Sequence, residues 1–242
     1  MNTFAENVVA GHNLMNDQKL GRGNDMKAIW LIVAFIAASW TVPTHAARPT
    51  PTTLSTSVAP IFESGELRGC QLEFQVVRSD PEYSGGRLVH ISGNLSFWIF
   101  EEKSPSVGLR LAVSEVSKIY DKKPPSDAYL IDGYKTNISD LLGKSDGEGG
   151  SGLFAYKLGE STSNVVFDNI IADRKFTFNY SMIERGLGAN VLVDLTVEKL
   201  DLENTGKNVI GDRTVNNWAE CVRQAADAEV ARLEVQDAAD NK

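Results

Sequence analysis

"CQLEFQVV", residues 70–77, decides the fold. Cys70, Leu72, Phe74 and Val76 fall on one side of an extended chain, and Gln71, Glu73 and Gln75 on the other. Side chains of a strand point alternately to its two faces, so this period of two means one dry face and one wet face. The cysteine lies on the dry face. Residues 87–100, "RLVHISGNLSFWIF", repeat the pattern: Val89, Ile91, Leu95, Phe97 and Ile99 share a face with Gly93 in its middle. His90, Ser92, Asn94, Ser96, Trp98 and Phe100 take the other. A glycine inside such a run predicts a bulge or bend.

The same alternation recurs in "VGLRLAV" (107–113), "KFTFNYSM" (175–182) and "NVLVDLTVEKL" (190–200). The last two are separated by "ERGLG", which suits a hairpin loop. Weaker strand patterns occupy residues 129–134 and 153–158, and residues 165–172 fit a short helix or an irregular strand. Repeated one-sided alternation, with no helix-length pattern between the runs, predicts antiparallel sheets with one buried face each. The expected fold is therefore mainly β, an antiparallel β-sandwich or alternatively a barrel, with a C-terminal α-helix packed on it. The β domain is expected over residues 60–205.

Residues 206–242 change character. After Gly211, Asp212 or Thr214 is placed to cap a helix through "VNNWAECVRQAADAEVARLEV", whose Val215, Trp218, Val222, Ala225 and Ala226 lie near one stripe. Beyond Ala226 the stripe thins, so the last turns are expected to project. Cys221 sits beside the stripe. It and Cys70 are the two cysteines of the chain, and a bridge between them would close a loop of about 150 residues, on the order of 5 kcal/mol by chain entropy.

Disulfides persist in oxidising compartments, and the amino-terminal region points there too. Residues 28–42 carry no charge, follow Lys27 and end at Pro43. This run is 15 residues long, short of the roughly 20 a membrane-spanning helix needs but suited to the core of a secretory signal. Residues 26–46 thus read as a signal peptide cleaved after Ala46, which leaves no integral membrane anchor. Residues 1–25 read as an untranslated or disordered upstream segment, with translation starting at Met26 or, if they form a long n-region, at Met1. Residues 47–59, rich in Pro, Thr and Ser, read as a linker. A periplasmic or secreted location follows.

The chain carries 24 Lys and Arg against 32 Asp and Glu, a net charge of -8. That balance disfavours nucleic acid or an anionic membrane, which require a basic footprint. "GKSDGEGGSG" (143–152) contains a literal GxGxxG, but no helix pattern follows it, so the phosphate-cradling donors are missing and a flexible surface loop is expected. His90 is the only histidine after residue 46; without companions it predicts neither zinc nor a catalytic triad, and a solvated strand residue is expected. No cofactor, metal or catalytic residue is indicated. Trp98 and Phe100, with His90 on the same face, are the candidate binding residues for a protein or glycan partner, unless the terminal helix covers them with Trp218. The expected function is an exported, non-enzymatic binding or envelope accessory protein. The rivals are an extracytoplasmic hydrolase working through Asp/Glu residues in a cleft, and an assembly subunit that adds a strand to a partner.

Overall fold

The computed structural model describes residues 51–80, 85–99, 105–133, 135–136, 138–182, 188–201 and 206–240. The proposed signal peptide and upstream segment, and Phe100, lie outside the described residues. Strands in chain order are β1 (Thr52–Glu63), β2 (Glu66–Asp80), β3 (Arg87–Trp98), β4 (Ser106–Glu115), β5 (Asp127–Asp132), β6 (Lys135–Thr136), β7 (Leu141–Gly147), β8 (Ser151–Lys157), β9 (Lys175–Ser181), β10 (Ala189–Asp194), β11 (Val197–Asp201) and β12 (Lys207–Ile210). A short helix α1 (Glu160–Ser163) runs into a wide π-type helical stretch, Asn164–Ala172, and α2 (Arg213–Asp240) ends the chain. All pairings are antiparallel.

An eight-stranded sheet runs β12-β11-β1-β2-β3-β4-β8-β7, and a four-stranded sheet runs β10-β9-β5-β6. The fold is mainly β, with two open antiparallel sheets, no closed barrel and the terminal helix packed on the larger sheet. Register explains the core. Cys70, Leu72 and Val76 pair with Phe97, Leu95 and Ile91, and Phe97, Leu95 and Ile91 pair with Val107, Leu109 and Val113. Directly opposed residues point to the same side, so the dry faces of three consecutive strands merge into one apolar surface. The smaller sheet covers part of it, with the Phe74 ring 5.3 Å from that of Phe176 on β9. Tyrosine hydroxyls tie the layers together: Tyr156 on β8 donates to the Ala128 carbonyl of β5 at 2.7 Å, and Tyr180 on β9 donates to Asp80 of β2 at 2.7 Å.

Four strands cannot cover eight. The Cys70 and Phe97 end of the surface is closed instead by helices: Phe167 of the π-type stretch meets Phe97 edge-on at 6.2 Å, and Cys70 is bonded to Cys221 of α2. Trp218 is fully buried one turn before that bond, with Val215, Val222 and Ala225 on the same stripe. Where the stripe turns polar it stays bound, because Arg68 of β2 bridges Glu66 and Glu229, and Glu229 also holds Arg232 at 2.7 Å. The hydrogen bonds from Arg232 hold the Glu229 carboxyl below the usual range, and the Arg68 charge adds to this. Only beyond Arg232 is the helix exposed throughout, as the thinning pattern implied.

Several expectations need correcting. Residues 52–59, read as a linker, belong to β1, which lies between β11 and β2. Its Thr and Ser residues suit extended backbone, and its buried hydroxyls are satisfied: Thr56 donates to the Val197 carbonyl at 2.8 Å and meets Thr214 at 3.1 Å. The segment expected to be a tether is therefore used, over residues 52–59, within its own sheet. Residues 190–200 are two strands in different sheets. Asp194 breaks the run by accepting hydrogen bonds from both the Thr196 amide and hydroxyl, a local turn that competes with the ladder. Gly93 marks no bulge, since the register runs through it unbroken on both sides. It is glycine because a β-carbon there would lie 2.7 Å from Phe74 Cζ and against the Arg110 carbonyl. Residues 143–147 of the glycine-rich segment are strand β7, not a flexible loop. Residues 165–172 are helical.

Candidate functional site

The wet faces of the same strands line up as the dry ones do. Gln75 pairs with Ser92 and Ser92 with Ala112; Glu73 pairs with Asn94 and Asn94 with Arg110. On the far side of β2, Ser55 and Ser57 of β1 stand opposite Gln75 and Glu73. After Val113 the edge of β4 is taken by the returning chain, where Lys123 exchanges both backbone hydrogen bonds with Val113, so Lys122 joins the outer face opposite Ser114. The turn between β7 and β8 closes one side with Glu148 and Gly149. Together these groups line an open concavity of about 360 Å³ on the outer face of the larger sheet. Its chemistry is hydroxyl and amide with four charged groups, Glu73, Arg110, Lys122 and Glu148. Glu73 is already engaged, accepting from Ser57 Oγ at 2.9 Å and Gln71 Nε2 at 2.8 Å.

His90 and Trp98 do share this outer face, but they do not meet. Eight residues of strand separate them, about 27 Å, and the concavity lies between. His90 is 7% exposed, which corrects the expectation of a solvated residue. Its Nε2 lies 3.4 Å from Gln75 Oε1, while its Nδ1 and the Oγ of its cross-strand neighbour Ser114 are buried with no partner among the described residues. Burial, and then the positive charge of Lys122, push the imidazole pKa below its ordinary value. Both effects disfavour the protonated ring.

Trp98 is half-buried, and its indole lies across Gly108 of β4, where a β-carbon would collide with the ring. The terminal helix does not cover it. Trp218 and Cys221 approach the opposite face of the sheet, where Cys70 and Phe97 point. Gly108 stands two residues before Arg110 on the same face, so the indole borders the charged end of the outer surface. The sequence patterns located Trp98 and His90 but missed the concavity. Its signal was present in the wet faces "QLEFQ", "HISGN" and "LRLAV", and only the register shows that they are adjacent.

A second groove of about 400 Å³ lies at the other end of the glycine-rich segment, lined by Pro124, Pro125, Lys144, Asp146, Phe154 and Met182. Lys144 there is held by Asp127 at 2.8 Å. Among the described residues no three His, Cys, Asp or Glu side chains come together as a metal site, and no helix is long and apolar enough to cross a membrane. Comparison of the chain with protein-family models, characterised proteins and solved structures finds no match.

Proposed function

We propose that this chain is an exported, non-enzymatic binding module of the periplasm or extracellular space, which receives a hydroxyl-rich ligand such as a glycan segment on the outer face of its larger sheet. The observation that carries the reading is the open concavity lined by Ser55, Ser57, Gln75, Ser92 and Asn94. Closely spaced hydroxyls and amides on a rigid sheet match the alternating donors and acceptors of a sugar. An open shape suits reversible capture of a chain better than enclosure of a reacting bond. Export is supported by the Cys70–Cys221 bond, which fits an oxidising compartment, and by the uncharged run before Pro43.

Native material isolated from its producing cell is expected to begin at Ala47 on Edman sequencing. A start upstream of Ala47 overturns cleavage at that point. For the site, Ser92→Trp fills the concavity without removing a hydrogen bond among the described residues. It is expected to weaken capture on a glycan array by roughly tenfold or more while leaving the melting temperature unchanged, since one lost charge-free contact set and a steric block together exceed about 1.4 kcal/mol. Unchanged capture would move the site elsewhere.

The hydrolase reading keeps one specific observation in its favour, because Glu73 and Glu148 border the same concavity. Paired carboxylates are what glycoside hydrolysis uses. Release of shortened products from a bound oligosaccharide by the unaltered protein, lost in both Glu73→Gln and Glu148→Gln, would establish that reading in place of simple binding.

A further inference from the structure

We infer that Arg110 and Lys122 form an anion subsite within this concavity, which takes a carboxylate or phosphate carried on a hydroxyl-rich chain; the inference rests on the concavity being the ligand site. Arg110 is the distinctive residue. The other seven described arginines are each held by a carboxylate or a backbone carbonyl: Arg68, Arg87, Arg174, Arg213, Arg223 and Arg232 by acids, and Arg78 by the Ser79 and Asn190 carbonyls. Arg110 has neither among the described residues, although carboxylates outnumber cations in the chain by 32 to 24. In an acidic protein an unpaired guanidinium on a concave face is a vacancy for an external acceptor, and its planar fork matches a carboxylate or phosphate.

Lys122 makes the second cation. The pairing of Lys123 with Val113 sets it opposite Ser114, four strand residues from Arg110, or about 13 Å along the sheet. Both residues line the cavity, so two cations border it. No carboxylate among the described residues pairs with Lys122, and its charge is felt at His90, whose protonated form it disfavours. The acids nearby divide the site. Glu73 is occupied by Ser57 and Gln71, whereas Glu148 on the β7–β8 turn borders the cavity and would repel a second anionic group. A ligand with one anionic group near Arg110 and neutral hydroxyls elsewhere fits this distribution best.

The test is isothermal titration of the mature, oxidised protein with a galacturonate oligosaccharide, its methyl ester and glucose 1-phosphate. The acid is expected to bind roughly tenfold or more tightly than the ester, as loss of a charge-assisted contact implies, and added salt should weaken the acid alone. Arg110→Gln should remove that preference, and Arg110→Lys should restore part of it, because charge returns without the fork. Tighter binding of the phosphate than of the galacturonate would support the subsite and assign phosphate as its anion. Equal binding of acid and ester by the original protein, or a preference for the acid that Arg110→Gln leaves unaltered, would overturn the anion subsite while leaving the concavity a sugar site. Failure of all three probes to bind would overturn both.

Discussion

Replacement of Cys221 by alanine is expected to lower stability by about 3–5 kcal/mol, the upper part of the range for a native disulfide. The bond joins residues 151 apart, so its loss restores to the unfolded chain the freedom of a very long loop, and the chain-entropy estimate for such a loop is on the order of 5 kcal/mol. The consequence is local as well as global. Cys221 anchors α2, which with the π-type stretch closes the Cys70 and Phe97 end of the core, so the variant should also show faster cleavage within α2 under limited proteolysis. Reduction of the unaltered protein should reproduce both changes. Calorimetry that gave the same melting temperature with and without reductant would mean that Trp218 and the Arg68–Glu229 pair hold the helix unaided.

Trp218→Ala is expected to cost about 3–5 kcal/mol in chemical denaturation, the usual range for deleting a buried large aromatic side chain. Trp218 is fully buried against the apolar surface of the larger sheet. Trp218→Phe is the informative control. The indole Nε1 is buried without a partner among the described residues, so phenylalanine gives up no hydrogen bond and should cost only about 1–2 kcal/mol, chiefly for the smaller volume. Because Trp218 and Cys221 secure the same helix, the double variant Trp218→Ala with Cys221→Ala should lose less than the two single effects combined. Full additivity would show that the bond and the ring act on separate units.

The parts of this fold that could be read from the sequence are those where burial alone chooses the residues. In β2, β3, β4 and β9 one face carries the large apolar residues of the core and the other mostly polar or small ones, and the alternation of residues records it directly. β1 escaped because its inward positions include Thr53 and Thr56, whose hydroxyls are satisfied by the Asp194 amide and the Val197 carbonyl. Such partners lie some 140 residues away in the chain and leave no local trace. The break at Asp194 was hidden for a related reason: Val191, Val193, Leu195 and Val197 all face the interior, so alternation carries on across a turn that changes sheets. The division of the core between four strands and two helical segments is likewise a matter of area and topology. The candidate site was half visible. Trp98 and His90 stood out as unusual residues on a wet face, whereas Arg110 and Glu73 looked like ordinary solubilising charges until register placed them around one hollow.

The staple between the second strand and the last helix also sets a timetable for biogenesis. At roughly 5–20 residues per second, the ribosome needs on the order of 10–30 s to deliver Cys221 after Cys70. Throughout that interval the nascent sheet waits with an oily flank bare and a lone thiol on it. α2 follows every described strand in the chain and closes that flank. Until α2 docks, that flank is open to misassociation, and a chain that keeps the strands but lacks α2 is expected to be a sticky product instead of a shortened but serviceable one.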